Sequence, residues 1–183
     1  NKGYTLPNTV DKNTLIVIIS VSGNTQETLS ILKQAYNSDA KIIAFASGGK
    51  IEKFCIEKNI AFRKIPMEHS PRASFTRFFF SILKILKNII PITEEEINES
   101  ISILEKTKSL INSNNLNEEN LSLSLAKNID SNPLIYYPDG LKAAAIRFKN
   151  SLQENSKIHT SIEDVIEASH NSISTWENKN NFK

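Results

Sequence analysis

The sequence predicts an α/β fold in which helices flank a parallel sheet, and two observations carry that reading. Residues 15–20 (Leu-Ile-Val-Ile-Ile-Ser) and 41–46 (Lys-Ile-Ile-Ala-Phe-Ala) are continuous β-branched or apolar runs of strand length, the pattern of strands buried on both faces. Each is followed by a Ser/Gly loop and then by apolar residues at helical spacing. Strands and helices alternating at this interval form right-handed βαβ units.

The elements follow in order. After the first strand, a Ser/Gly/Asn loop leads into a helix over 26–36, with Leu29, Leu32, Ala35 and Tyr36 at helical spacing. The second strand closes on Ser47-Gly48-Gly49, and a short helix over 51–58 leads to a third strand over 61–65. A polar loop over 66–72 precedes helices at 73–90 and 94–112, the second opened by a Thr93…Glu96 capping box. Residues 113–117 read as a polar linker and 118–128 as another helix. The pattern then restarts with a strand over 134–137, a Pro138-Asp139-Gly140 turn and a helix over 141–153. Leu141, Ala144, Ala145, Phe148 and Leu152 form the inward face expected of that helix. From 158 onward the chain is polar and weakly periodic, so the second lobe has one convincing strand, too little to bury a sheet of its own.

This organisation predicts a first lobe at 1–90, a helical connection at 91–130 and the start of a second lobe at 131–183. With no strand ahead of residue 1, the chain reads as a stretch of something longer at both ends.

Composition narrows the function classes. The 183 residues are 39% hydrophobic and 23% charged, ordinary for a globular protein. A net charge of +2 gives no argument for nucleic acid or an anionic membrane. The single cysteine, Cys55, excludes an internal disulfide framework and fits a reducing cytoplasm. The three histidines lack metal-ligand spacing, which predicts no metal site. No signal-peptide pattern opens the sequence. The run Phe78-Phe79-Phe80-Ser81-Ile82-Leu83 meets Lys84 and Lys87 well short of the ~20 apolar residues of a membrane span and reads as a buried helix.

The segment Ser20-Val21-Ser22-Gly23-Asn24-Thr25, between a strand and a helix, has a physical use. Backbone N–H groups at a helix start and the helix dipole favour an anion. The hydroxyls of Ser20, Ser22 and Thr25 add donors, and Gly23 allows close approach. No lysine follows in the Walker pattern, which argues against a nucleoside triphosphate. The same residues also suit an ordinary βα loop whose Ser and Thr cap the helix.

A strand, Ser-x-Ser-Gly-Asn-Thr and a helix together resemble the sugar isomerase (SIS) domain, a flavodoxin-like module that binds phosphosugars. The resemblance implies that Ser20, Ser22 and Thr25 hold the sugar phosphate. Three further segments are similar to archaeal-type bifunctional phosphoglucose/phosphomannose isomerases: Pro71-Arg72-Ala73, Glu154-Asn155-Ser156-Lys157, and Ser169-His170-Asn171-Ser172-Ile173-Ser174-Thr175-Trp176-Glu177. The four motifs stand in the family's order from the N-terminal region to residue 177. Departures are Gln153 for the Asn ahead of the glutamate, and Ser172 and Thr175 for the Glu and Gly of the histidine segment. The family's N-terminal Gly-Gly-Ser-Gly loop and its C-terminal lysine have no counterpart within the sequence, so the chain by itself is expected to be inactive or nearly so.

The resemblance implies interconversion of glucose 6-phosphate or mannose 6-phosphate with fructose 6-phosphate through a cis-enediolate. It makes Glu154 the base, Arg72 the stabiliser of enediolate charge and His170 an aid to ring opening. His170 would come from the neighbouring subunit of a homodimer, and neither metal nor cofactor is implied. Read singly, each residue has a plainer role. Glu154 fits a solvated carboxylate near a helix end, Arg72 a surface partner of Glu68, and His170 a surface residue. Trp176 is read as a packing anchor, and His69 and His159 as loop residues. A non-catalytic phosphosugar-binding regulatory module is the competing reading, and an amino-sugar phosphate enzyme a third.

Overall fold

The computed structural model describes residues 3–129 and 131–177. The outer ends of the two predicted lobes, at 1–2 and 178–183, lie outside the described residues. The chain divides into two compact units, 1–94 and 95–183.

In the first unit, β1 (Leu15–Ser20), β2 (Lys41–Ala46) and β3 (Ala61–Lys64) form a parallel sheet in the order β1-β2-β3. Ile18 lies opposite Ala44 and Ser20 opposite Ala46, while Ala44 and Ala46 in turn face Phe62 and Lys64. Helices α1 (Gln26–Tyr36) and α2 (Gly49–Glu57) supply the crossovers.

Side-chain alternation along β1 and β2 creates two cores. On one face Ile18, Ala44 and Ala46 pack with Leu29 and Leu32 of α1 and Ile51 and Cys55 of α2. The small alanines let the helices lie close to the sheet. On the other face Phe45 and Ile65 meet Phe78 of α3 (Phe75–Ile85), with Val17, Val21, Ile43 and Ile82 around them. Each fully buried aliphatic or aromatic side chain contributes roughly 1.5–3 kcal/mol. Burial also pushes the Cys55 thiol up to about 11, so it packs as a protonated apolar group.

Three expectations change here. β1 was expected to be buried on both faces, yet Ile19 is 47% exposed. β1 pairs with β2 alone among the described strands and so lies at the sheet edge. The Phe78–Leu83 stretch is amphipathic rather than wholly buried. Phe78 and Leu83 point inward, whereas Phe79 is outward and stacks on Phe75 at 5.7 Å. Finally, α3 is shorter than 73–90. The Ser74 hydroxyl donates to the Ser70 carbonyl at 2.8 Å and accepts from the Glu68 N–H at 2.9 Å, which holds the preceding residues in a turn. At the far end Asn88 and the pre-proline Ile90 disfavour helix, and the last helical residue is Ile85.

In the second unit, α4 (Glu94–Ile111) and α5 (Leu121–Asn128) have no buried residue among those described. Helix α5 starts later than 118 because Asn120 caps it, accepting from the Leu123 N–H at 3.1 Å. β4 (Leu134–Tyr137), α6 (Lys142–Ser151) and β5 (Ser161–Asp164) form a second parallel βαβ unit, with Leu134 opposite Ser161 and Tyr137 opposite Asp164.

β5 corrects the one-strand reading of this lobe. Its four residues contain a single apolar side chain, Ile162, so pairing with β4 rather than a hydrophobic pattern makes it a strand. The expected inward face of α6 also contracts. Ala145 is buried and Leu152 half-buried, but Leu141, Ala144 and Phe148 are exposed. A two-stranded sheet covers only a narrow stripe of a helix. No helix among the described residues is long and apolar enough to cross a membrane.

Candidate functional site

The 20–25 loop is built from the end of β1 upward. Ser20 is buried, and its hydroxyl accepts from the Gly23 N–H at 3.1 Å and shares a 2.9 Å hydrogen bond with the Thr25 hydroxyl. These bonds curl the loop, with Gly23 in the left-handed region at φ +69°. The Ser22 hydroxyl accepts from the Asn24 N–H at 3.3 Å and is half-buried; Thr25 is exposed.

Thr25 is the N-cap of α1 with extended backbone, yet its side chain makes no capping bond and turns instead to Ser20. The first backbone bond of α1 runs from the Leu29 N–H to the Thr25 carbonyl at 3.0 Å. First-turn N–H groups of a helix lack intrahelical partners. Here the Thr25 side chain does not cap them, and the helix start adjoins the loop that carries the Ser22 and Thr25 hydroxyls. That is a geometry suited to a phosphate or carboxylate.

A second loop braces the first. Ser47 donates to the Val21 carbonyl at 2.9 Å and Ile51 to the Gly23 carbonyl at 3.0 Å. The Asn24 side chain accepts from the Lys50 N–H at 3.1 Å and donates to the Ser22 carbonyl at 3.2 Å. The backbones approach so closely that a Cβ on Gly23 would stand 1.7 Å from the Gly48 oxygen. Sequence reasoning treated Ser47-Gly48-Gly49 only as the end of a strand and gave Asn24 no role. The Gly-Gly pair was the available signal, since adjacent glycines after a buried strand mark a close backbone approach.

The remaining candidates lie elsewhere. Arg72 is half-buried in the turn before α3, in the same unit as the loop. Glu68, weighed as its surface partner, is paired with Arg77 at 2.7 Å. Glu154 and His170 belong to the second unit, where both are exposed. Each stands on a π-helical turn: Leu152–Ser156 continues α6, and Ala168–Ser172 continues the short helix α7 (Val165–Glu167).

The first of these turns ends on Lys157 in the left-handed region at φ +60°, with its ammonium donating to the Glu154 carbonyl at 2.6 Å. The second is braced by Ser172, which donates to the Glu163 carboxylate of β5, and by Asn171, which donates to Glu167 at 3.2 Å. Widened turns of this kind often mark functional positions. Trp176, expected as a packing anchor, is half-exposed and donates to the Tyr136 hydroxyl at 3.1 Å. The structure therefore brings Ser20, Ser22 and Thr25 into one loop and sets Glu154 and His170 on two separate turns. Among the described residues, no cluster of three His, Cys, Asp or Glu side chains could hold a metal ion.

Comparison with known proteins agrees with this architecture. Residues 118–183 match the bacterial phospho-glucose isomerase C-terminal SIS domain. The chain is 32% identical to the bifunctional phosphoglucose/phosphomannose isomerase of Caldicellulosiruptor bescii over 94% of its own length and 52% of that protein's. It is 31% identical to the enzyme of the same name from Thermoplasma acidophilum, over 92% of this chain and 50% of that one. A D-glucosamine-6-phosphate 4-epimerase from Sulfolobus acidocaldarius is 30% identical, over 91% of this chain and 52% of that one.

Among solved structures, the C-terminal domain of glucosamine-fructose-6-phosphate aminotransferase from Francisella tularensis shares the fold with a TM-score of 0.57 at 21% identity, over 94% of this chain and 51% of that one. A phosphosugar isomerase fold from Clostridium difficile 630 gives 0.61 at 17% identity, over 91% and 50%. The chain spans about half the length of the curated relatives it matches. In fold it is an α/β chain that shares the architecture of these solved structures, and in sequence residues 118–183 match an SIS domain while the chain as a whole is similar to the bifunctional phosphoglucose/phosphomannose isomerases.

Proposed function

We propose that the chain is the phosphate-holding and proton-transferring part of an aldose–ketose isomerase that interconverts glucose 6-phosphate and/or mannose 6-phosphate with fructose 6-phosphate. The observation that carries this reading is the 32% identity to a bifunctional isomerase over 94% of the chain. A match of that extent takes in the 20–25 loop, Arg72, Glu154 and His170 wherever its ends fall.

In this reading the first-turn N–H groups of α1 and the hydroxyls of Ser22 and Thr25 donate to the sugar phosphate, while Ser20 shapes the loop from beneath. After ring opening, assisted by His170, Glu154 moves a proton between C1 and C2 through a cis-enediolate. Arg72 stabilises the negative charge that develops on the enediolate oxygens. His170 is supplied by the neighbouring subunit of a homodimer, and the steps require no cofactor. In this reading the lobes run over 1–90 and 131–183 with a helical connection at 91–130, and the enzyme works in the cytoplasm.

The test is a coupled assay of fructose 6-phosphate conversion by a protein carrying this chain at its relatives' full length. Replacing Glu154 by Gln should lower kcat by about 100-fold or more, the scale of a lost general base. Ser22→Ala should instead act mainly through KM. Wild-type turnover by Glu154→Gln would remove the catalytic assignment and leave a binding module. The Sulfolobus acidocaldarius relative favours a second reading, an amino-sugar phosphate substrate. Conversion of glucosamine 6-phosphate in preference to fructose 6-phosphate would select it.

A further inference from the structure

We infer that Asn24 is a positioning residue: its neutral carboxamide caps α2 from the opposite loop and thereby fixes Ser22 toward the bound phosphate. The inference rests on the phosphate-binding reading of the 20–25 loop.

Helix α2 starts behind Gly48, which as N-cap has no side chain to accept from the first-turn amides. The missing acceptor comes from 26 residues back in the chain, where the Asn24 Oδ1 takes the Lys50 N–H at 3.1 Å. The other end of the same amide donates to the Ser22 carbonyl at 3.2 Å. The Asn24 backbone N–H meets the Ser22 hydroxyl at 3.3 Å. One residue thus orients both oxygens of Ser22 while anchored on a different helix.

The steric fit is tight. A Cβ on Gly49 would come within 2.7 Å of the Ser22 carbonyl oxygen and 2.8 Å of the Asn24 Oδ1. Gly49 therefore holds open the space that the carboxamide occupies. An aspartate could cap α2 equally well, and its charge would suit the helix dipole. It could not donate to the Ser22 carbonyl, however, and it would set a carboxylate beside the phosphate. Only a neutral side chain with both an acceptor and a donor performs the two tasks at once.

The test uses the protein carrying this chain at its relatives' full length, with Lys50 amide hydrogen exchange reporting the clamp and titration with glucose 6-phosphate reporting binding. In Asn24→Ala the Lys50 amide should exchange about fivefold faster, the factor that follows from a lost cap, with a matching loss of affinity. Asn24→Asp should keep the Lys50 protection yet bind glucose 6-phosphate more weakly than Asn24→Ala. That separation is one a merely structural cap would not produce. Gly49→Ala, which leaves the 20–25 loop's own donors intact, should weaken binding as Asn24→Ala does.

Unchanged Lys50 exchange or unchanged affinity in Asn24→Ala would overturn the inference while wild-type binding left the phosphate reading standing. Wild-type affinity in Asn24→Asp would do the same. Absence of glucose 6-phosphate binding by the wild-type protein at that full length would overturn the phosphate reading and the inference with it.

Discussion

Replacing Gly23 by alanine probes the loop architecture most directly. Gly23 sits at φ +69°, where an L side chain costs about 1–2 kcal/mol. An added Cβ would also stand 1.7 Å from the Gly48 oxygen and 2.7 Å from its carbonyl carbon, so backbone must move. The bonds joining the loops there are Ser47 N–H to Val21 and Ile51 N–H to Gly23. Losing both adds about 1–3 kcal/mol at the usual net worth of a hydrogen bond. The expected destabilisation of the first unit is therefore about 2–5 kcal/mol.

Gly140 serves as the control. It has φ +79° but nothing within 4 Å of an added Cβ, so Gly140→Ala should carry the conformational cost alone, about 1–2 kcal/mol. Native-state hydrogen exchange measures each locally, through β2 and α1 amides for Gly23→Ala and α6 amides for Gly140→Ala. If Gly23→Ala cost no more than Gly140→Ala, the close approach of the two loops would be refuted.

Other outcomes follow from the packing. Phe78→Ala should destabilise the first unit by about 3–5 kcal/mol, because Phe78 is 4% exposed between Phe45 and Ile65. Phe79→Ala, at a 43% exposed position, should cost less than about 1 kcal/mol; denaturant titration separates the two, and equal costs would mean that α3 is rotated. The Cys55 thiol, raised by burial from 9.0 to about 11, binds its proton more tightly in the folded chain. Its contribution is therefore complete below pH 9 and declines as the pH rises toward 11, by roughly 2–3 kcal/mol. The difference in pH slope between the wild type and Cys55→Ala over that window measures it, and parallel slopes would show a thiol that is not buried.

The parts of this fold legible in the sequence were those whose pattern is local. Leu15–Ser20 and Lys41–Ala46 are nearly unbroken apolar runs, and both strands fall where the pattern put them. The helix over 26–36 was equally clear because Leu29, Leu32 and Ala35 repeat at helical spacing and all are buried. β5 was hidden because Ser161, Glu163 and Asp164 flank one isoleucine, and only β4 makes that segment a strand. The inward face of α6 was overstated because periodicity reveals which residues could be covered, not how much sheet is present to cover them.

At the site, the serine and threonine hydroxyls were readable from a contiguous motif. The Asn24–Lys50 bond joins residues 26 apart, and no local pattern encodes it. The π-helical character of the Glu154 and His170 turns was likewise invisible, since helical spacing does not reveal an added residue per turn.

The hydrogen bond between Trp176 and the Tyr136 hydroxyl has a practical consequence. Trp176 is the sole tryptophan of the sequence and lies in the second unit, half-open to solvent. Its emission is therefore a spectroscopic handle on the unit in which it bonds to Tyr136. Following tryptophan fluorescence beside far-ultraviolet circular dichroism would resolve whether the halves melt together or in succession, without attaching any label.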